Sequence, residues 1–215
     1  FDTYPRNVKH DINRGAKCGV DMYFIPSDTS MYSDEFQTWV EVKRVTSQFE
    51  GAIRPEHFKG VTTVVAKLFN ITQPDYAIFG QKDAQQVAVI SRMVEDLNFP
   101  VELIVAPTIR EDDGLALSSR NKRLSREERQ QAVVLFNSLQ EIQNSVAQGK
   151  INAHSIIRSA KKQWDKVPLL SLEYLAIVDN KTFYSVDKIT PHCVAIVAGR
   201  TLESQTRLID NILLH

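Results

Sequence analysis

The sequence predicts an α/β fold, with a mainly parallel sheet of βα units followed by a small α+β domain. Two observations predict it. Through the first half, apolar positions spaced by three and four alternate with short apolar runs that end in polar or glycine-bearing loops. After Ser125 the order changes to two helices followed by three strand-like runs. Composition is compatible with this and excludes much else. The 215 residues are 43% hydrophobic, 24% charged and 8% aromatic, enough for one large core or two modest ones, which rules out disordered, collagen-like and coiled-coil classes.

The elements follow in order. Residues 7–18 form a short polar helix, residues 20–25 read as a strand stopped by Pro26, and residues 39–45 alternate as a second strand would. A polar loop over residues 50–57 precedes a helix whose buried face carries Val61, Val64, Val65, Leu68 and Phe69, ended by Pro74. Residues 76–79 form a short apolar strand that runs into Gly80-Gln81-Lys82-Asp83 and a helix through Leu97. Asp83 and Gln86 have the offset of a capping box, and Val87, Ile90, Val94 and Leu97 form its apolar stripe. The strand at residues 101–106 leads through Pro107 into a polar loop over residues 110–123, and the domain boundary is placed near Thr108, giving domains 1–108 and 109–215. Ser125 and Glu128 make a second capping pair, starting a long helix to about Ala147 with Ala132, Phe136, Leu139 and Val146 inward. A helix over residues 152–164 and strands over 172–178, 193–198 and 207–213 complete the chain.

Lys and Arg total 26 and Asp and Glu total 26, so no global field draws the chain to nucleic acid or an anionic membrane, and any nucleotide is held by a local pocket. No apolar run approaches the ~20 residues of a membrane span. The first residues lack the layout of a signal peptide, so a soluble, cytosolic protein is expected. Cys18 and Cys193 are too isolated for a disulfide framework or a zinc site and are expected to be packed thiols. The chain begins with Phe1, which reads as a fragment or processed product.

Ligands of open α/β sheets bind beyond the carboxyl ends of the strands, where loop amides and helix N-termini converge on anions. Gly80-Gln81-Lys82-Asp83 lies at such an end, with glycine for close backbone approach and lysine as a compact cation. Taken alone, it reads more readily as an ordinary helix cap with a solvated lysine. Leu117-Ser118-Ser119-Arg120-Asn121 follows the next strand, and its hydroxyls and guanidinium suit phosphate oxygens, with Gly114 letting the loop fold over a ligand. Alone it reads as an exposed turn; together the two loops point to a nucleotide. Glu50, Arg54 and His57 either line a polar pocket or form surface ion pairs. Gln86 either closes the capping box or turns outward to a polar substrate. No histidine stands where a serine triad needs one, and the remaining histidines are given no ligand role.

Several ordered blocks resemble one family. Arg54-Pro55-Glu56-His57-Phe58-Lys59-Gly60-Val61, Phe79-Gly80-Gln81-Lys82-Asp83-Ala84-Gln85-Gln86, Asp113-Gly114-Leu115-Ala116-Leu117-Ser118-Ser119-Arg120-Asn121 and Thr206-Arg207-Leu208-Ile209-Asp210-Asn211 resemble the pantoate-β-alanine ligases, and the likeness starts at Tyr4-Pro5-Arg6. The resemblance implies a Rossmann-like ATP-binding domain, a smaller lid domain and an AMP-forming ligation through an acyl-adenylate, with ATP, pantoate and β-alanine as substrates and Mg2+ on the phosphates. It implies that Gly80, Gln81, Lys82 and Asp83 contact ATP, with Lys82 stabilising transition-state charge. Ile109 would lie against adenine, and Leu117, Ser118, Ser119 and Arg120 would form a mobile phosphate loop. Gln86 would bind pantoate, with Tyr4, Glu50, Arg54 and His57 bordering the pocket. A homodimer is also implied.

The chain departs from the family at Gln81, usually glutamate, at Ala84, usually aromatic, and at Leu117, commonly methionine. The family's first strand, its histidine-glycine-histidine ATP motif and a further pantoate-binding glutamine have no match here. On the scale of βαβ units this is on the order of 70 residues, so the 215 residues alone are expected to be inactive or nearly so. Two other readings remain at this point: another adenylyl-transferring enzyme of the same scaffold, and a non-catalytic anion-binding or dimerisation module.

Overall fold

The computed structural model describes residues 7–214, and the chain divides after Thr38 into two compact units. In the first unit, the Asn7 side chain accepts from the His10 N–H at 3.1 Å and starts helix α1 (Val8–Lys17), as the sequence predicts. Ser27 caps the single turn α2 (Asp28–Met31) in the same way. Residues 20–25 do not form the expected strand, and Val20, Met22, Phe24 and Ile25 are exposed. A strand needs a neighbour for its backbone groups, and no segment among the described residues pairs with this one. Cys18 is exposed rather than packed, whereas Cys193 is buried.

In the second unit, residues 39–45 also depart from expectation. Val40 and Val42 pack inward, yet there is no ladder. Threonines of helix α4 (His57–Thr72) replace it: Thr63 Oγ1 accepts from the Val40 N–H at 3.0 Å, and Thr62 Oγ1 donates to the Val40 carbonyl at 2.6 Å. The expected polar loop begins as a helical turn, α3 (Glu50–Ile53). Buried Gln85 secures it, accepting from the Glu50 N–H at 2.9 Å and donating to the carbonyls of Val45 and Gln48 at 2.8 and 2.9 Å.

Strands β1 (Tyr76–Gly80) and β2 (Glu102–Ala106) pair in parallel, joined by helix α5 (Ala84–Asp96). Helices α4 and α5 cover one face, where Val65, Phe69, Ile90 and Met93 meet Ala77, Phe79 and Leu103. On the other face Tyr76, Ile78 and Ile104 are exposed. The capping box expected at Asp83 and Gln86 is absent; a 3-10 turn (Gln81–Asp83) enters α5, and Asp83 makes no side-chain cap bond. Leu97, expected on the buried stripe, is exposed, while Val89 and Met93 are buried. The helix is covered on two sides, so a single stripe does not describe it.

The remainder is α+β as expected. Helices α6 (Arg126–Gln131), α7 (Val134–Ala147) and α8 (Ala153–Lys161) precede an antiparallel sheet of β3 (Leu170–Asp179), β4 (Cys193–Thr201) and β5 (Arg207–Leu214), in that spatial order. The long helix predicted from Ser125 is two helices, because the Leu135 N–H donates to Ala132, three residues back, and tightens the turn. Its capping box does form. Central β4 divides its side chains between two cores. Cys193, Ala195 and Val197 face the cluster of α7 and α8, while Val194 and Ile196 meet Phe58, Ala84, Ala88 and Val89. That second contact brings β5 beside the Gln81–Asp83 turn.

Two buried carboxylates tie loops to this framework. Glu50 accepts from Arg207 Nη1 and Nη2 at 2.6 and 2.5 Å and from the Tyr174 hydroxyl at 2.7 Å. Burial alone would raise the Glu50 carboxyl, but Arg207 and Tyr174 hold it below the usual range. A bulge between Leu172 and Tyr174 aims Glu173 at the same arginine, whose Nε donates to it at 2.6 Å. Fully buried Glu128 closes the Ser125 box and accepts the N–H groups of Glu203 and Ser204 at 3.0 and 2.9 Å. Burial opposes its charge, yet these donors hold it at about 2.

Replacing Arg207 with Met leaves buried Glu50 without its cation and with only the Tyr174 hydroxyl to offset its charge, so it should cost about 3–5 kcal/mol. The double substitution Glu50→Gln with Arg207→Met should recover most of that in urea melts. Glu128 contributes stability that is complete above its ordinary value of 4.5 and is lost as pH falls toward about 2. Glu128→Gln should therefore flatten the acid limb of the stability profile in that window, measured as unfolding midpoint against pH.

Candidate functional site

A hollow of about 510 Å³, its open mouth included, lies where the N-termini of α4 and α5 meet β5. The two helix starts add positive potential to it. Glu50, Arg54 and His57 line it from α3 and the start of α4, Lys82, Asp83 and Gln86 from the turn and the start of α5, and Arg120 from the serine loop. An adjoining cleft is lined by Lys82, Ser118, Arg120 and Asp210. Lys82, Arg120 and Asp210 border both, so the lysine turn and the serine loop face a common space.

The other expected residues are placed as follows. Gln86 is among the residues that line the hollow, and the capping box that would have engaged it is absent. Ser118 Oγ accepts from the Arg120 N–H at 3.2 Å, starting the 3-10 turn Ser119–Arg123. Ser119 and Leu117 line neither space, and Leu117 is exposed. Ile109 is 65% exposed, and its carbonyl accepts from the Leu117 N–H at 2.8 Å. Gln81 lies instead in a cleft with Pro107 and Thr108. Gly80 has an ordinary conformation, and a Cβ there would meet no protein atom. Tyr4 lies outside the described residues. Gly114 has a structural reason of its own: its φ is +91° and a Cβ would stand 2.1 Å from the Phe136 ring.

Charge separates into paired and unpaired groups. Glu50 is matched by Arg207, and Asp210 by Arg110, at 2.6 and 3.1 Å. Burial nonetheless raises the Asp210 carboxyl above its usual range. Lys82, Arg54 and Arg120 have no carboxylate within ion-pair distance among the described residues, and neither does Asp83 have a cation. Three cations against one carboxylate leave the hollow suited to a polyanion. Burial and the nearby Arg54 charge lower the His57 value, which favours its neutral ring.

The residues to which sequence reasoning gave no role are the supports: Gln85, Arg110, Tyr174, Arg207, Asp210 and Asn211. Asn211 Nδ2 donates to the Gln81 and Lys82 carbonyls, both at 2.9 Å. The available signal was polar residues inside an apolar strand, as at Asp210-Asn211 within β5.

Comparison with known proteins agrees with this architecture. The sequence matches the pantoate-beta-alanine ligase family over residues 1–213. A pantothenate synthetase of Thermoanaerobacter sp. (strain X514) is 49% identical over 213 residues, covering 99% of this chain and 75% of that protein. The crystal structure of pantothenate synthetase from Thermus thermophilus superposes with a TM-score of 0.93 at 43% identity, covering 98% of this chain and 76% of that one. Pantoate-beta-alanine ligase from Francisella tularensis, complexed with beta-gamma ATP and beta-alanine, gives 0.75 at 31% identity, covering 99% and 72%. With a family match along almost its whole length and relatives near half identity, the chain belongs to the pantoate-beta-alanine ligases.

Proposed function

We propose that this chain is the greater part of a ligase that, at the length of its relatives, joins pantoate to β-alanine at the expense of ATP through a pantoyl-adenylate, and that the hollow between the lysine turn and the serine loop belongs to the site where it does so. The observation that carries the reading is that Lys82 and Arg120, both without a carboxylate partner among the described residues, border the same space.

In the first step a pantoate carboxylate oxygen attacks the α-phosphorus, the bond to the β-phosphate bridge breaks, and pyrophosphate leaves with its electron pair. In the second, the β-alanine nitrogen attacks the acyl carbon, AMP leaves with the carboxyl oxygen, and the nitrogen gives up a proton. Lys82, Ser118, Ser119 and Arg120 offset the charge that builds on phosphate oxygens. Gly80, Gln81 and Asp83 border the nucleotide, Ile109 and Leu117 its base and lid. Gln86 holds pantoate, with Tyr4, Glu50, Arg54 and His57 around it. Glu50 acts there through its pairing with Arg207 rather than with a free carboxylate.

No cluster of three His, Cys, Asp or Glu that could hold a metal occurs among the described residues. Mg2+ typically binds through substrate phosphates and one or two carboxylates. Asp83 is the unpaired carboxylate of the hollow that fits this role, and the ion would supply neutralisation of phosphate charge. We also assign a boundary near Thr108 between a nucleotide half and a lid half, a homodimer, and a cytoplasmic location. No helix among the described residues is long and apolar enough to cross a membrane. The relatives are about a third longer than this chain, and their additional length is assigned a part in turnover.

Coupled detection of AMP tests the reading. The 215 residues alone should release little AMP, whereas the protein at the length of its relatives should release it only with pantoate and β-alanine both present. Brisk turnover by the 215 residues would contradict the first expectation, and a stable adenylylated product formed without β-alanine would favour an adenylyltransferase. In the longer form, Lys82→Ala should lower the rate about 10²–10³-fold and weaken ATP binding modestly, about three- to tenfold.

A further inference from the structure

Asn211 is polar, 3% exposed and sits inside strand β5, and its side chain directs every hydrogen-bonding atom at one turn. Nδ2 donates to the carbonyl oxygens of Gln81 and Lys82, each at 2.9 Å, and Oδ1 accepts from Gln81 Nε2 at 2.9 Å. Its main chain is held from the other side. The Asn211 N–H donates to Asp210 Oδ1 at 2.7 Å, and its carbonyl accepts from Arg110 Nη2 at 3.2 Å. The same Arg110 clasps Asp210, donates to the Gly114 carbonyl at 3.0 Å, and lies over the Phe136 ring with its guanidinium carbon 4.6 Å from the centroid.

The turn that receives these bonds is a three-residue 3-10 helix without a side-chain cap at Gly80. Such a turn has poor internal hydrogen-bond geometry and does not hold itself. The direction in which the Lys82 side chain leaves the backbone therefore depends on what grips its carbonyl, and Asn211 is that grip. We propose that Asn211 is a positioning residue for the ligation: by fixing the Lys82 carbonyl to β5 it aims the ammonium group at the phosphate-binding part of the hollow. The proposal rests on the reading of Lys82 as a phosphate ligand.

Asn211→Asp tests it with almost no change of shape. The carboxylate still accepts from Gln81, but an oxygen now faces two carbonyls where a donor stood, so the turn is released. Titration calorimetry, on the protein at the length of its relatives, would compare ATP and adenosine binding by the wild type, Asn211→Asp, Lys82→Ala and the double variant. Asn211→Asp should weaken ATP about three- to tenfold and leave adenosine, which has no phosphate, within about twofold. The double variant should bind ATP no more weakly than Lys82→Ala alone, since both changes remove one interaction. Losses that multiply, or equal weakening of ATP and adenosine, would overturn the positioning role while leaving Lys82 a phosphate ligand. Wild-type ATP affinity in Lys82→Ala would overturn both. If Asn211→Asp is not recovered folded, Asn211→Ser, which keeps a single short donor, is read through the same cycle with the same outcomes.

Discussion

Three polar side chains on β5 are desolvated, and the rest of the site depends on each being paired. Arg207 reaches Glu50 on α3, Asp210 reaches Arg110 at the start of the serine loop, and Asn211 reaches the turn that carries Lys82. A buried charge or amide without its partner loses its hydration and gains nothing, whereas a satisfied one is favourable only in one geometry. Each tie is therefore close to all-or-none. One strand sets the places of three segments that are far apart in the sequence.

This arrangement also sorts the charges by role. Carboxylates that are both buried and matched, Glu50, Glu128 and Asp210, hold the framework together. The cations that border the hollow without a carboxylate among the described residues, Arg54, Lys82 and Arg120, can meet a ligand without first breaking an internal pair. A site for a polyphosphate needs that division, because a cation already neutralised within the protein contributes little to binding one.

Much of the fold was legible where the signal is local. The Ser125 and Glu128 box, the α4 and α5 helices, the β1 and β2 strands and the three antiparallel strands were all anticipated, since a cap or a period of two or three to four is written in neighbouring residues. The misreadings are equally instructive. Residues 20–25 have the apolar content of a strand and residues 39–45 the alternation of one, but a strand exists only with a partner; the second segment satisfies Val40 with threonine hydroxyls instead. The stripe on α5 was misjudged because β4 covers the helix from a second side. The Asp83 cap failed because a 3-10 turn, gripped from β5, takes its place.

The sequence by itself determined the fold class and the family, because ordered blocks of loop chemistry are written in neighbouring residues whatever the way in which they meet. Only the tertiary structure decided which of those residues share one space, that Gln86 is among those lining it, and that Glu50 is bound to Arg207 instead of standing free. The physical reason is separation along the chain. Lys82 lies 129 residues from the asparagine that holds its carbonyl, and Glu50 lies 157 residues from its arginine. Contacts over such spans arise from how β4 packs on both its faces, and no local pattern encodes them.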